Sequence, residues 1–293
     1  MEKIEGLRQV VGPGAVLGEG PLWDEAGGVL WWLDIPGCAL HRFDPATGDD
    51  DQIDLGDQVG AAVLRRSGGM VIATPNGFEA FDPSTGHREV LVNLIGGDPS
   101  LRMNDGKCDA LGRFYAGSMA YDFTPGAASF YRLDADRTAT RLLEDVTISN
   151  GLAWSSDGAT LYWIDTMTHR IDAFDVDITS GTIDGRRPIV QIPAGDGMPD
   201  GMCIDAEGCL WVALYGGGGV HRYRTDGTLV ARIEVPADQV TCCAFGGPDL
   251  GDLYITTAAQ GLSEAQRSAE PLAGSLFCVR PGVAGTAPNA FAG

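Results

Sequence analysis

The chain has 293 residues, 44% of them hydrophobic, and carries 40 acidic against 20 basic side chains for a formal charge of −20. Such a surface repels phosphate backbones and anionic lipid, which argues against nucleic acid and membranes as partners; it serves solubility, or a negative potential that gathers a metal cation. No run approaches the ~18 apolar residues of a membrane span, no linker or composition shift divides the chain, and residues 1–293 read as one domain with a large core.

The opening Met1-Glu2-Lys3-Ile4-Glu5 lacks the apolar stretch of a secretory signal. The first repeated pattern follows. Trp23-Asp24-Glu25-Ala26-Gly27-Gly28 is a hairpin signal ahead of an apolar strand at 29–33, and His41-Arg42-Phe43-Asp44 makes a third strand. Phe43-Asp44-Pro45-Ala46-Thr47-Gly48 returns almost unchanged as Phe81-Asp82-Pro83-Ser84-Thr85-Gly86. Residues 149–176 show the unit most fully. A short strand at 152–154 meets a Ser156-Asp157-Gly158 turn, then come strands at 160–164 and 170–176, with 187–192 as a fourth. Ile204-Asp205-Ala206-Glu207-Gly208 opens another unit, which leads to His221-Arg222-Tyr223.

Five residues before each hairpin signal stand Glu19, Gly60, Asn104, Asn150, Asp200 and Thr241, at intervals of 41, 44, 46, 50 and 41 residues. Periods of 40–50 residues with about four strands each predict the blades of an all-β, six-bladed β-propeller of four-stranded blades. The 42 glycines suit many tight turns. Residues 1–16, which include Gln9-Val10-Val11, are expected to add the outer strand of the last blade. The polar stretch 262–271 is expected to be a helical insertion in that blade. The tail from Gly282 is rich in Gly, Ala and Pro.

In a propeller the first strand of each blade lines the central channel, so the recurring position sits at one mouth of it. Glu19, Asn150 and Asp200 occupy that position, each followed by Gly, which lets the backbone bend away while the side chain points inward. An Asp-Gly or Asn-Gly pair taken alone is an ordinary turn; the shared place in the repeat makes these three a candidate set. Two carboxylates and an amide balance one divalent cation in the central channel. Oxygen ligands favour Ca²⁺, Mg²⁺, Mn²⁺ or Fe²⁺, with Zn²⁺ also possible, and three protein ligands leave room for water and substrate.

The four histidines, His41, His87, His169 and His221, miss this position. Three begin His-Arg pairs on third strands and read as structural, so neither a catalytic triad nor a His-rich zinc site is expected. Asp34 and Asp165, which end second strands, read as turn caps. The glycines at 216–219 read as a loop, not a phosphate cradle. Cys38, Cys108, Cys203, Cys209, Cys242, Cys243 and Cys278 are odd in number and lack a C-x-x-C pair. They read as reduced core residues of a cytoplasmic protein.

At these residues the chain resembles the regucalcin (senescence marker protein)/gluconolactonase family over nearly its whole length. The motifs are Gly18-Glu19-Gly20-Pro21, Arg102-Met103-Asn104-Asp105-Gly106-Lys107, Ala116-Gly117-Ser118-Met119, Ser149-Asn150-Gly151-Leu152-Ala153-Trp154, Pro199-Asp200-Gly201 and Cys242-Cys243-Ala244-Phe245-Gly246-Gly247. The resemblance implies a six-bladed propeller with one divalent metal ion held by Glu19, Asn150 and Asp200, and substrate contacts at Arg102 and Asn104. It implies hydrolysis of a small-molecule sugar lactone, such as xylono- or glucono-lactone, to the aldonic acid in sugar oxidation, with similarity greatest to bacterial sugar lactonases such as xylonolactonase. Where animal members often carry Glu after Gly-Thr-Met-Ala, this chain has Tyr121, so Tyr121 joins the expected substrate contacts. Asp200 is the expected catalytic residue, either remaining a ligand or swinging to act as general base. The protein is expected to act as a monomer. The alternatives are a phosphotriesterase-like or other esterase on the same scaffold, and a non-enzymatic calcium-binding propeller.

Overall fold

The second strand of the first unit, Val29–Asp34, is buried at every position. A strand with one wet face would alternate; this one is covered on both sides. Trp31 packs with Met70, Ile72 and Phe81 of the next unit, while Trp32 packs with Tyr254, Leu276 and Cys278 of the last. Leu161–Ile164 behaves likewise: Leu161 and Trp163 join one neighbouring unit, Tyr162 and Ile164 the other. Successive side chains of one strand thus enter different cores, and the sheets stack face to face around an axis.

The protein, seen in a computed structural model that describes residues 2–96 and 98–293, is a six-bladed β-propeller. Its innermost strands are Gly18–Asp24, Ala61–Leu64, Leu101–Cys108, Ser149–Trp154, Met198–Ile204 and Val240–Gly246. Each contacts the next, and the sixth contacts the first, which closes the ring. Six apolar clusters fill the six spaces between blades. Fully burying a large side chain there stabilises the fold by roughly 1.5–3 kcal/mol.

Closure uses the N-terminus as expected. Arg8–Val11 pairs antiparallel with Leu276–Val279 and supplies the outer strand of the sixth blade. Glu2–Lys3 adds what the sequence did not suggest: a parallel fifth strand on the outer edge of blade five, in register with Ala231 and Arg232. The insertion in blade six is a short helix, Glu264–Ala269, capped by Ser263 and Gln266 in a reciprocal capping box. Among the described residues no helix is long and apolar enough to cross a membrane. The Gly-, Ala- and Pro-rich tail runs across the face of the ring opposite the recurring position. It bonds to Ala206 and Leu250, then to Gly112, and ends against Leu64 and Arg66 with Phe291 buried.

Candidate active site

The recurring position owes its geometry to a recurrent irregularity. Pairing between first and second strands shifts register between Glu19 and Leu22, Met103 and Gly106, Asn150 and Leu152, Pro199 and Met202, and Val240 and Cys242. The bulges fall on the recurring position in five of six blades. A bulge re-aims a side chain that strict alternation would send elsewhere. The following glycines have two reasons to be glycine, of which the sequence suggested one. Gly20 has a positive φ of 51°. Gly201 does not; there a Cβ would collide with the Cys242 thiol of the neighbouring blade, so the constraint is close approach of first strands.

Glu19, Asn150 and Asp200 are all buried, at 7%, 4% and 7% exposure, yet poorly satisfied. Glu19 accepts one hydrogen bond, from the Gly20 N–H at 2.9 Å. The Asn150 amide nitrogen donates to the Thr166 hydroxyl at 3.0 Å, and its Oδ1 has no partner. Asp200 Oδ1 has none either. Burial, then the negative charge of Asp105, pushes the Glu19 carboxyl up to about 8. Burial, then the charge of Glu19, raises Asp200 well above the carboxylate range, against an opposing pull from the Asn150 amide. The three side chains therefore feel one another across blades one, four and five. Among the described residues no three His, Cys, Asp or Glu side chains form a metal-binding group; this set has two carboxylates, and its third oxygen is an amide. Buried oxygens short of partners are a donor set suited to a hard cation.

Arg102 is buried at 7% exposure. Burial draws its guanidinium below the usual value, against the charges of Tyr121, Glu19 and Asp200, so it stands in the field of the same site. Its Nη1 donates to Met103 O at 3.0 Å and to Asn104 Oδ1 at 2.7 Å. Asn104 Nδ2 donates to Ser149 O at 2.8 Å. The Asn104 amide thus bridges the inner strands of blades three and four and holds Arg102. Tyr121 lies at the rim, 43% exposed, its hydroxyl donating to Gln58 at 3.1 Å.

Residues outside the recurring position also belong here. Asp105, beside Asn104 on the bulge, is 5% exposed, and its Oδ2 is unpartnered. Burial raises its carboxyl, partly offset by Lys107. Lys107 donates to Met202 O across to blade five. Tyr215 is raised by burial and then by the charge of Asp200. The Asp105 and Lys107 signal lay in plain view within the Asn104-Asp105-Gly106-Lys107 motif.

Two of the three histidines read as structural are held by side-chain partners, whereas His169 lies just ahead of its strand, Arg170–Val176, with Nδ1 unpartnered. His41 Nδ1 pairs with Asp50 at 2.7 Å and its ring stacks on Trp32, and His221 bonds Tyr223. Asp34 accepts from Val16 and Leu17 N–H, and Asp165 from Thr147 and Ile148 N–H. All seven cysteines are free thiols.

A closed six-bladed ring with partly satisfied oxygens at one mouth defines the class. The SMP-30/Gluconolactonase/LRE-like region family model matches residues 17–259, and the chain belongs to that family. It is 39% identical to regucalcin of Xenopus laevis, over 94% of this chain and 95% of that protein. It is 40% identical to the Bacillus subtilis protein named "Putative sugar lactone lactonase YvrE", over 95% of this chain and 96% of that one. Among solved structures, the calcium-binding protein regucalcin from Agrobacterium tumefaciens superposes with a TM-score of 0.94 at 32% identity, covering 99% of this chain and 98% of that chain.

Proposed function

We propose that this protein hydrolyses a sugar lactone, with xylono- and glucono-lactone the first candidates, using a divalent cation held by Glu19, Asn150 and Asp200. The observation that carries the reading is the set of under-partnered buried oxygens facing the field of a buried Arg102. The lactonase name of the Bacillus subtilis relative supports the substrate class. The calcium-binding description of the Agrobacterium tumefaciens protein supports a divalent cation.

A cation there supplies Lewis acidity, which stabilises negative charge on a carbonyl oxygen and eases deprotonation of nearby water. The chain's own residues do the rest. Arg102, with Nη1 committed to its own strand, offers the remaining donors of its fork to lactone oxygens. Asn104 positions Arg102 and retains one amide hydrogen for a sugar hydroxyl. Tyr121 contributes a hydroxyl at the rim. Asp200, ionised once a cation offsets its burial, takes the proton as water adds to the carbonyl carbon. The ring C–O bond then breaks, Asp200 returns that proton to the departing ring oxygen, which leaves as a hydroxyl, and the acid product loses its own proton to solvent at neutral pH.

Acid release from glucono- and xylono-lactone, with and without chelator, tests this. Turnover that disappears with the metal and returns on its addition is expected; full turnover by verifiably metal-free protein contradicts it. The description of the Agrobacterium tumefaciens relative favours one other reading, cation binding without turnover. Stoichiometric metal uptake with no hydrolysis of a lactone panel would select it.

A further inference from the structure

The recurring position is the top of a longer channel. Just beyond it along the inner strands lies a chamber of about 410 Å³. Gly20 and Asp105, the residues that follow Glu19 and Asn104, form its upper end, and residues 286–289 of the tail lie at its lower end. Asn289 donates to Cys108 O at 3.4 Å, and the flanking Gly285 and Phe291 are bonded to Leu250 O and Leu64 O. The floor is therefore built into the fold. An outlet runs past Leu111 and Ile178, both exposed, so the chamber meets solvent on the face away from the substrate mouth.

Three buried polar atoms belong to residues lining this chamber and have no protein partner: Asp105 Oδ2, Trp23 Nε1 and Trp154 Nε1. Leaving a buried carboxylate oxygen unbonded is costly; the chamber lining is mostly apolar, but these polar atoms and the exposed residues at its edge give water both partners and entry. The charge of Asp105, like that of Arg102, reaches both Glu19 and Asp200. It stands at the boundary between chamber and site. A lactone seated among Arg102, Tyr121 and the ligand set covers the mouth, and hydrolysis still consumes one water per turnover.

We propose that this lower chamber is the water supply of the site and that Asp105, steadied by Lys107, positions at its top the water that opens the lactone from below. This rests on the lactonase reading. The water oxygen bonds to the carbonyl carbon, the ring C–O bond breaks, and one water proton ends on the former ring oxygen. The other is lost to solvent when the acid ionises. Asp105 is a positioning residue here and need not touch the substrate.

The test has an arm that does not depend on turnover. A crystal structure showing ordered solvent is expected to place a water on Asp105 Oδ2 within a file of chamber waters; a dry chamber overturns the proposal even in an active enzyme. The kinetic arm uses Asp105→Asn and Ala244→Leu. Ala244 lines the chamber but joins none of the cores between blades, so a larger side chain there fills the chamber. Both variants are expected to lose about tenfold or more in kcat at saturating metal, with KM within about twofold. Wild-type kcat in Asp105→Asn overturns the proposal. A wild-type protein that opens no lactone removes the lactonase reading instead, and the two failures are told apart.

Discussion

Two pairs of carboxylates are buried to the same depth in this ring and meet different fates. Asp34 and Asp165 are 6% and 5% exposed, and Glu19 and Asp200 are each 7% exposed. Each of the first pair accepts two backbone N–H bonds, at 3.0 and 3.1 Å or less, from the chain entering its own blade. The second pair has one such bond between them, Gly20 to Glu19. Depth therefore does not separate the acids that cap turns from those proposed to serve the site; provision of donors does. Where the fold supplies them, the carboxylate is a staple. Where it withholds them, the carboxylate is left short of partners, as the proposed cation site requires.

Four experiments sharpen that contrast. The largest effect is expected for Asp200→Asn, with turnover falling by about 100-fold or more while the metal-free protein unfolds no more easily than wild type, because an under-partnered buried carboxyl gives way to an uncharged amide of the same shape. Lactone hydrolysis alongside urea unfolding reads both. Asp165→Ala should do the reverse. It leaves buried N–H groups unpaired, costs about 1–3 kcal/mol in urea unfolding, and leaves kcat in the folded protein close to wild type.

The third experiment varies pH. Glu19 titrates near 8 in the folded metal-free protein, against an ordinary 4.5. The folded state therefore holds this proton more tightly than the unfolded one. The associated stability is complete below pH 4.5 and is lost as pH rises through about 8. Metal-free protein is expected to show a melting temperature that declines across that window, with a divalent cation reversing the decline most strongly at its alkaline end. A flat profile would mean that Glu19 is not buried uncompensated. The smallest effect is expected at the rim: Tyr121→Phe removes one hydroxyl and should raise KM by about two- to fivefold, with kcat nearly unchanged.

Much of the fold was legible because its signal is local and repeated. Each hairpin announces itself with Gly and Asp, and the period of the recurring position counts the blades. The ring closure by Arg8–Val11 followed from a leftover apolar stretch. Glu2–Lys3 gave no such sign, since a charged two-residue strand pairs through backbone alone. The tail was equally silent: residues rich in Gly, Ala and Pro carry no alternation, and their place across the ring is set by backbone bonds. At the site, the positions of Glu19, Asn150 and Asp200 came from register within the repeat. The bulges that aim them did not, because a bulge is a property of pairing between strands. Nor could sequence show that the Asn104 amide is largely spent on Arg102 and Ser149, a contact between residues 45 apart. Asp105 was passed over because attention to one position per repeat excludes its neighbour, which the bulge also turns toward the channel.

The most direct measurement is calorimetric titration of metal-stripped protein with a divalent cation, on wild type and on Asn150→Ala. That substitution removes an uncharged oxygen, so a diffuse negative potential would be unaffected by it. The account predicts one cation per chain for wild type, with affinity rising as pH approaches 8, and binding weakened at least about tenfold in the variant. Equal binding by the two proteins would contradict the shared site.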